Sequence, residues 1–109
     1  MSLWQNERES DPVNIGTGGW VLVDTLDVRA AEHAYCVMPV AIATLTGVKV
    51  TGAAQLGGDH VDIEEETGMS KTAGSKVEIR VRTEGVAEIK IYAQGNSGCT
   101  VHVQSHQSP

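Results

Sequence analysis

The sequence has no phenylalanine, and its aromatic residues are Trp4, Trp20, Tyr35 and Tyr92. A core without Phe has to be aliphatic. No apolar run approaches the roughly 20 residues a membrane-spanning helix needs, so no membrane partner is expected. Residues 1–10, MSLWQNERES, have neither a basic start nor an apolar stretch. No signal peptide is recognisable there, and synthesis in the cytoplasm is expected. Basic charge is short: Lys and Arg number 8 against 14 Asp and Glu, for a net charge of −6. A phosphate-binding surface needs clustered Lys and Arg, so nucleic acid is not an expected partner. No segment of ten or more residues carries an apolar period of 3.6, which argues against a long helix.

Cysteine is also scarce. Cys36 and Cys99 stand alone, outside any CxxC or Cys/His zinc spacing. Cys99 falls on the inner side of an alternating segment, so a buried thiol is the plain expectation and a Cys36–Cys99 disulfide the alternative. The loop between them resembles that of immunoglobulin domains in length. No Trp follows Cys36 where that family requires one.

What is present is a chain of 109 residues rich in Val and Gly. A chain of this length forms one domain and buries about two-thirds of its unfolded surface. The composition favours strands and tight turns. Lys76–Arg82 alternates strictly, with Val77, Ile79 and Val81 on one face and Lys76, Glu78, Arg80 and Arg82 on the other. Ala87, Ile89, Ile91 and Ala93 repeat the pattern after Thr83-Glu84-Gly85, where Gly suits the left-handed position of a three-residue hairpin loop. That hairpin would set Arg80 against Glu88 and Glu78 against Lys90. Cys99, Val101 and Val103 make a third strand after the polar loop Gln94–Gly98. Residues 75–105 are therefore predicted as a three-stranded antiparallel meander, its apolar face covered by a second sheet.

Upstream, residues 1–19 are polar and read as an N-terminal arm, with Leu3, Trp4 and Val13 as isolated apolar residues. Trp20–Val28 reads as a strand with Trp20, Leu22, Leu26 and Val28 on one face. Asp24 interrupts it, marking a bulge or an edge. Residues 29–34 suit a single helical turn, and Tyr35–Met38 a short strand ended by Pro39. Val40–Gln55 is predicted as a hairpin turning at Thr46-Gly47. Asp59–Glu65 is a further strand, followed by a polar loop. The fold class is then all-β: an antiparallel β-sandwich, jelly-roll or Ig-like, of about seven or eight strands. It spans residues 20–105, with 106–109 as a tail.

Two clusters bear on chemistry. Alternation puts His60, Asp62, Glu64 and Glu66 on one face, and His60, Asp62 and Glu64 are weak candidates for a metal. Alternate residues of a strand lie about 6.5–7 Å apart, so one strand cannot wrap an ion, and a solvated acidic face is the expected state. His102 and His106 are expected at the surface. No G-x-S-x-G elbow occurs, the Gly16–Gly19 cluster neither follows a strand nor opens a helix, and neither an enzyme nor a cofactor is expected. The leading expectation is a structural assembly protein, such as a phage capsid decoration (cement) or tail protein found in the virion. Its partners would be further copies of itself, the major capsid protein or other virion proteins, met through Leu3, Trp4, Val13 and Tyr92. Deleting residues 1–15 would then spare the fold and abolish assembly. The alternative is a carbohydrate- or ligand-binding sandwich, whose glycan platform would be Tyr92 flanked by Lys76 and Thr100.

Overall fold

The computed structural model describes residues 5–109, with side chains from Glu7 onward. The strands are β1 (Gln5–Glu9), β2 (Val13–Asn14), β3 (Val21–Asp27), β4 (His33–Ile42), β5 (Leu45–Ala53), β6 (His60–Lys71), β7 (Lys76–Arg82), β8 (Glu88–Gly95), β9 (Thr100–Val101) and β10 (Gln104–Ser108). One sheet runs β1-β10-β4-β9-β2 with β7 on β4, and the other runs β3-β8-β5-β6. All pairings are antiparallel.

β1 and β2 are two parts of one broken edge strand, and β9 and β10 are two parts of its neighbour. Counted that way there are eight strands, ordered 1-8-3-6 and 2-7-4-5. First pairs with last, second with seventh, third with sixth, and fourth with fifth. This is one long hairpin, closed at residues 54–59 and rolled up, which is the jelly-roll form of the β-sandwich. The two inner faces enclose an aliphatic core whose largest fully buried members include Leu26, Met38, Leu45, Ile89 and Ile91.

β7 and β8 stand where alternation put them, with Val77, Ile79 and Val81 buried and their neighbours exposed, while the third predicted strand is split into β9 and β10. The predicted meander is not formed. β7 pairs with β4, whereas β8 pairs with β3 and β5 in the other sheet. The Thr83–Val86 turn, closed by Val86 N–H donating to the Thr83 carbonyl at 2.9 Å, carries the chain across the core. Gly85 does hold a left-handed φ of 81° there. Thr83 anchors the crossing by donating its hydroxyl to the Ala31 carbonyl. The expected Arg80–Glu88 and Glu78–Lys90 pairs are absent because their strands stack face to face. Instead Glu78 accepts from Arg80 and from the Tyr35 hydroxyl.

Other expectations change for local reasons. No helical turn forms at residues 29–34. β4 runs through Pro39, which sits where β4 changes partner from β10 to β9 and no ladder N–H is needed. The hairpin at Thr46-Gly47 is absent: β5 continues through both residues, and the chain reverses at Ala43-Thr44, with Ala43 at φ 61°. β6 extends to Lys71, well past Glu65. The expected bulge falls between Leu22 and Asp24, on a strand that is also a sheet edge. It turns Leu22 outward and Val23 inward, so Leu22 does not share a face with Leu26 and Val28. Pairing carries the sandwich from Gln5 to Ser108, so residues 5–14 and the predicted 106–109 tail belong to its sheet.

Candidate functional site

The two sides of the sandwich differ. On one, β1 and β3 are linked by Arg8, whose guanidinium donates to both carboxylate oxygens of Asp24, at 2.7 Å from Nη2 to Oδ1 and 3.0 Å from Nε to Oδ2. The Asp24 side chain is only 4% exposed, and an opening of about 780 Å³, lined by residues that include Glu7, Arg8, Thr25 and Asp27, lies beside the pair. On the other side β6 and β7 border an opening of about 690 Å³, lined by residues that include Glu64, Glu65, Glu66, Glu78 and Arg80. Both are sheet edges, each hydrogen-bonded to one neighbour only. β6 is exposed along nearly all of its 12 residues, and Val61 reaches 70% exposure.

The acidic row on β6 is not one face. Val50 pairs with Glu64 and Thr51 with Asp62, so Ile63 is an extra residue that reverses the alternation. His60 and Asp62 stand beside Ala53 and Thr51, while Glu64 and Glu66 stand beside Val50 and Val48. Among the described residues no group of three or more His, Cys, Asp or Glu side chains is placed to hold a metal. The three metal candidates are engaged or apart. Asp62 lies 3.9 Å from the Lys49 ammonium, Glu64 is exposed, and His60 belongs to a different cluster.

That cluster joins three strands. The His60 ring places Nδ1 2.8 Å from Thr51 Oγ1 on β5, and Nε2 2.7 Å from Glu88 Oε1 on β8. The Gly57 N–H reaches the other Glu88 oxygen at 3.3 Å. Hydroxyl, imidazole and carboxylate in a row suggest a hydrolytic triad, but Thr51 is only 5% exposed. The row works as a clamp on edge strand β6. The hydrogen bond from His60 holds the Glu88 carboxyl below its ordinary range, and burial opposes this more weakly. A carboxylate held down in the folded state contributes stability that is complete above its unfolded value and lost as pH falls through the folded one. The denaturation midpoint of the wild type is therefore expected to exceed that of Glu88→Gln near neutral pH. The gap should close in acid, below the ordinary Glu range. Melting curves from pH 7 down to 3 test this, and a gap that does not change with pH would refute it.

Tyr92 occupies the outer face of the β3-β8-β5-β6 sheet. Its cross-strand neighbours are Leu22 and Lys49, not Lys76 and Thr100. The Lys49 ammonium lies 5.1 Å from the Trp20 ring centroid and 5.3 Å from that of Tyr92, a cation held between two rings. Leu22 lies alongside, 42% exposed. Sequence patterning missed this cluster because the bulge in β3 turns Trp20 and Leu22 outward.

Of the other predicted site residues, Leu3 and Trp4 lie outside the described residues. Val13 is partly buried and packs against the core. Cys36 and Cys99 are both free and buried. Burial pushes the Cys36 thiol up to about 12 and raises that of Cys99, which suppresses thiolate chemistry. His102 lies 3.3 Å from Glu9, and His106 meets Tyr35 edge-on. Arg8 had no sequence signal beyond its charge.

Strand order and closed core define a jelly-roll β-sandwich whose β1 and β3 edges are bridged by an ion pair and whose β6 and β7 edges border an opening. No protein-family model and no curated protein matches the chain. Among solved structures it is similar to a chain from Bacillus endospore appendages, described as a novel family of disulfide-linked pili. Identity is 14% and the TM-score 0.48, over 95% of this chain and 91% of that one. It is also similar to a chain of infectious bursal disease virus, Gx strain, at 12% identity and a TM-score of 0.42. That match covers 95% of this chain and 34% of the viral one, so the chain spans about a third of it. Neither likeness is close enough to assign a role.

Proposed function

We propose that the protein is a non-enzymatic subunit of a larger protein assembly. Within that class we place it as a virion component such as a capsid decoration (cement) or tail protein, made in the host cytoplasm. Its partners would be further copies of itself, the major capsid protein or other virion proteins. The observation that supports this reading is β6, a 12-residue edge strand left open, with Val61 and Ile63 among its exposed residues. A long open edge presents unpaired backbone N–H and C=O groups that a strand of another chain can pair with. Trp4 is proposed as a further anchor in a neighbour.

A second reading, a glycan- or ligand-binding module, draws on Trp20, Leu22 and Tyr92. Lys49 sits against both aromatic rings, which leaves less of them to stack on a sugar, so this reading stands second. The test is mass in solution, by light scattering after size exclusion, for the wild type and Trp4→Ala. A discrete oligomer, reduced in size by Trp4→Ala, is the expected result. A monomer at every concentration that binds glycans would replace the assembly reading with the second one. An oligomer indifferent to Trp4→Ala would remove only the anchor.

A further inference from the structure

The open side carries opposite charge on its two edges. On β6, Asp62, Glu64, Glu65 and Glu66 against Lys71 leave a charge of −3 with His60 neutral. On β7, Lys76, Arg80 and Arg82 against Glu78 leave +2. Glu64, Glu65 and Glu66 are exposed, and no ion pair reaches them among the described residues. The Arg80–Glu78 and Arg82–Glu84 pairs on the other edge are exposed, so each holds its guanidinium only weakly.

Resting on the assembly reading, we infer that a second copy of this chain docks on the open side, with β6 of each copy pairing to β7 of the other. A twofold axis along the strands brings these edges together. The turn at Thr72–Ser75, closed by Ser75 N–H donating to the Thr72 carbonyl at 3.0 Å, reverses the chain between β6 and β7. β6 therefore meets the partner copy's β7 antiparallel, and each sheet continues into the opposite sheet of its partner. The contact is isologous and closes as a dimer.

The other twofold arrangement, across the strands, pairs β6 with β6 and β7 with β7. It sets four carboxylates against four carboxylates. Like charges juxtaposed across an interface cost several kcal/mol, so charge selects the first arrangement. The same acids protect β6 from indiscriminate edge pairing. The β1 and β3 edges are instead bridged to each other by the Arg8–Asp24 pair.

The test uses two full-length variants with reversed charge. One carries Glu64→Lys, Glu65→Lys and Glu66→Lys. The other carries Lys76→Glu, Arg80→Glu and Arg82→Glu. Each alone is expected to dimerise at least about tenfold more weakly than the wild type. Mixed together they should form a one-to-one dimer, because both β6–β7 edge pairs in the mixture regain opposite net charge. Light scattering reads the mass, and circular dichroism confirms that each variant is folded. If a triple variant unfolds, Glu65→Lys and Arg80→Glu take its place. Variants that assemble like the wild type, or a mixture that stays monomeric, overturn the paired edges while leaving assembly through another surface standing. A wild type that is monomeric at all concentrations overturns the paired edges as well.

Discussion

Removing residues 1–15 is expected to unfold the protein rather than release an arm. β1 and β2 form the outer strand of their sheet, against β10 and β9. Their loss strips the Ser10 N–H bond to the Val103 carbonyl and the Val103 N–H bond to Ser10 Oγ, both 2.8 Å, and the Ile15 N–H bond to the Cys99 carbonyl at 2.7 Å. It removes Ile15, 3% exposed, from the core. It also takes Arg8 from Asp24. Arg8 is half exposed, but its loss leaves the buried Asp24 carboxylate short of a partner, which costs about 1–3 kcal/mol, and deleting a large aliphatic core residue costs roughly 2–5 kcal/mol. Together these approach the whole stability of a small domain, about 5–15 kcal/mol. Thermal melts by circular dichroism should show no cooperative transition for the truncated chain. A chain lacking only residues 1–4 keeps every contact named here and should melt near the full-length protein. A truncation at 15 that melts cooperatively within a few degrees of the full chain would show that the edge strand is dispensable. This also explains why truncation at residue 15 cannot test assembly, whereas Trp4→Ala can.

Gly95→Ala is expected to be the most damaging exchange of a single small residue, and Gly52→Ala a mild one. A Cβ at Gly95 would lie 2.7 Å from Cys99 Cβ, 2.8 Å from Cys99 Sγ and 2.9 Å from the Thr44 carbonyl oxygen. That carbonyl already accepts from the Asn96 N–H at 2.9 Å, so the backbone there has little room to move. Cys99 is fully buried between the sheets. Overpacking of a tight core costs about 1–3 kcal/mol, and Gly95→Ala belongs at the upper end. At Gly52 the nearest atom is closer still, 2.5 Å, but it is Cδ1 of Ile63, the tip of a side chain on the open edge β6. A rotamer change removes that clash. Denaturant midpoints for both variants decide the matter, and Gly52→Ala costing as much as Gly95→Ala would mean that β6 is more rigidly held than its exposure implies.

The candidate surfaces were legible in part. The acidic run on β6 and the basic outer face of β7 are plain in the sequence, because both follow from residue type and period. That both strands are sheet edges on one side of the sandwich is not written in either pattern. An alternating strand looks the same whether it has one neighbour or two. Trp20, Lys49 and Tyr92 come together because of one extra residue at the bulge in β3, and alternation read through that point assigns Leu22 to the wrong face.

The sequence by itself determined where most strands run, which side chains of β7 and β8 face inward, that Asp24 breaks the rhythm of β3, and that the core is aliphatic. These are local consequences of side-chain period and turn chemistry. Tertiary structure alone decided which strands pair. Two alternating strands joined by a tight turn can lie edge to edge as a hairpin or face to face across a core, and both bury the same side chains. β7 and β8 take the second course because β3 and β5 occupy both edges of β8. That closure rolls the chain into a jelly roll, ties β1 to β3 through Arg8 and Asp24, and leaves β6 and β7 as sheet edges on the other side.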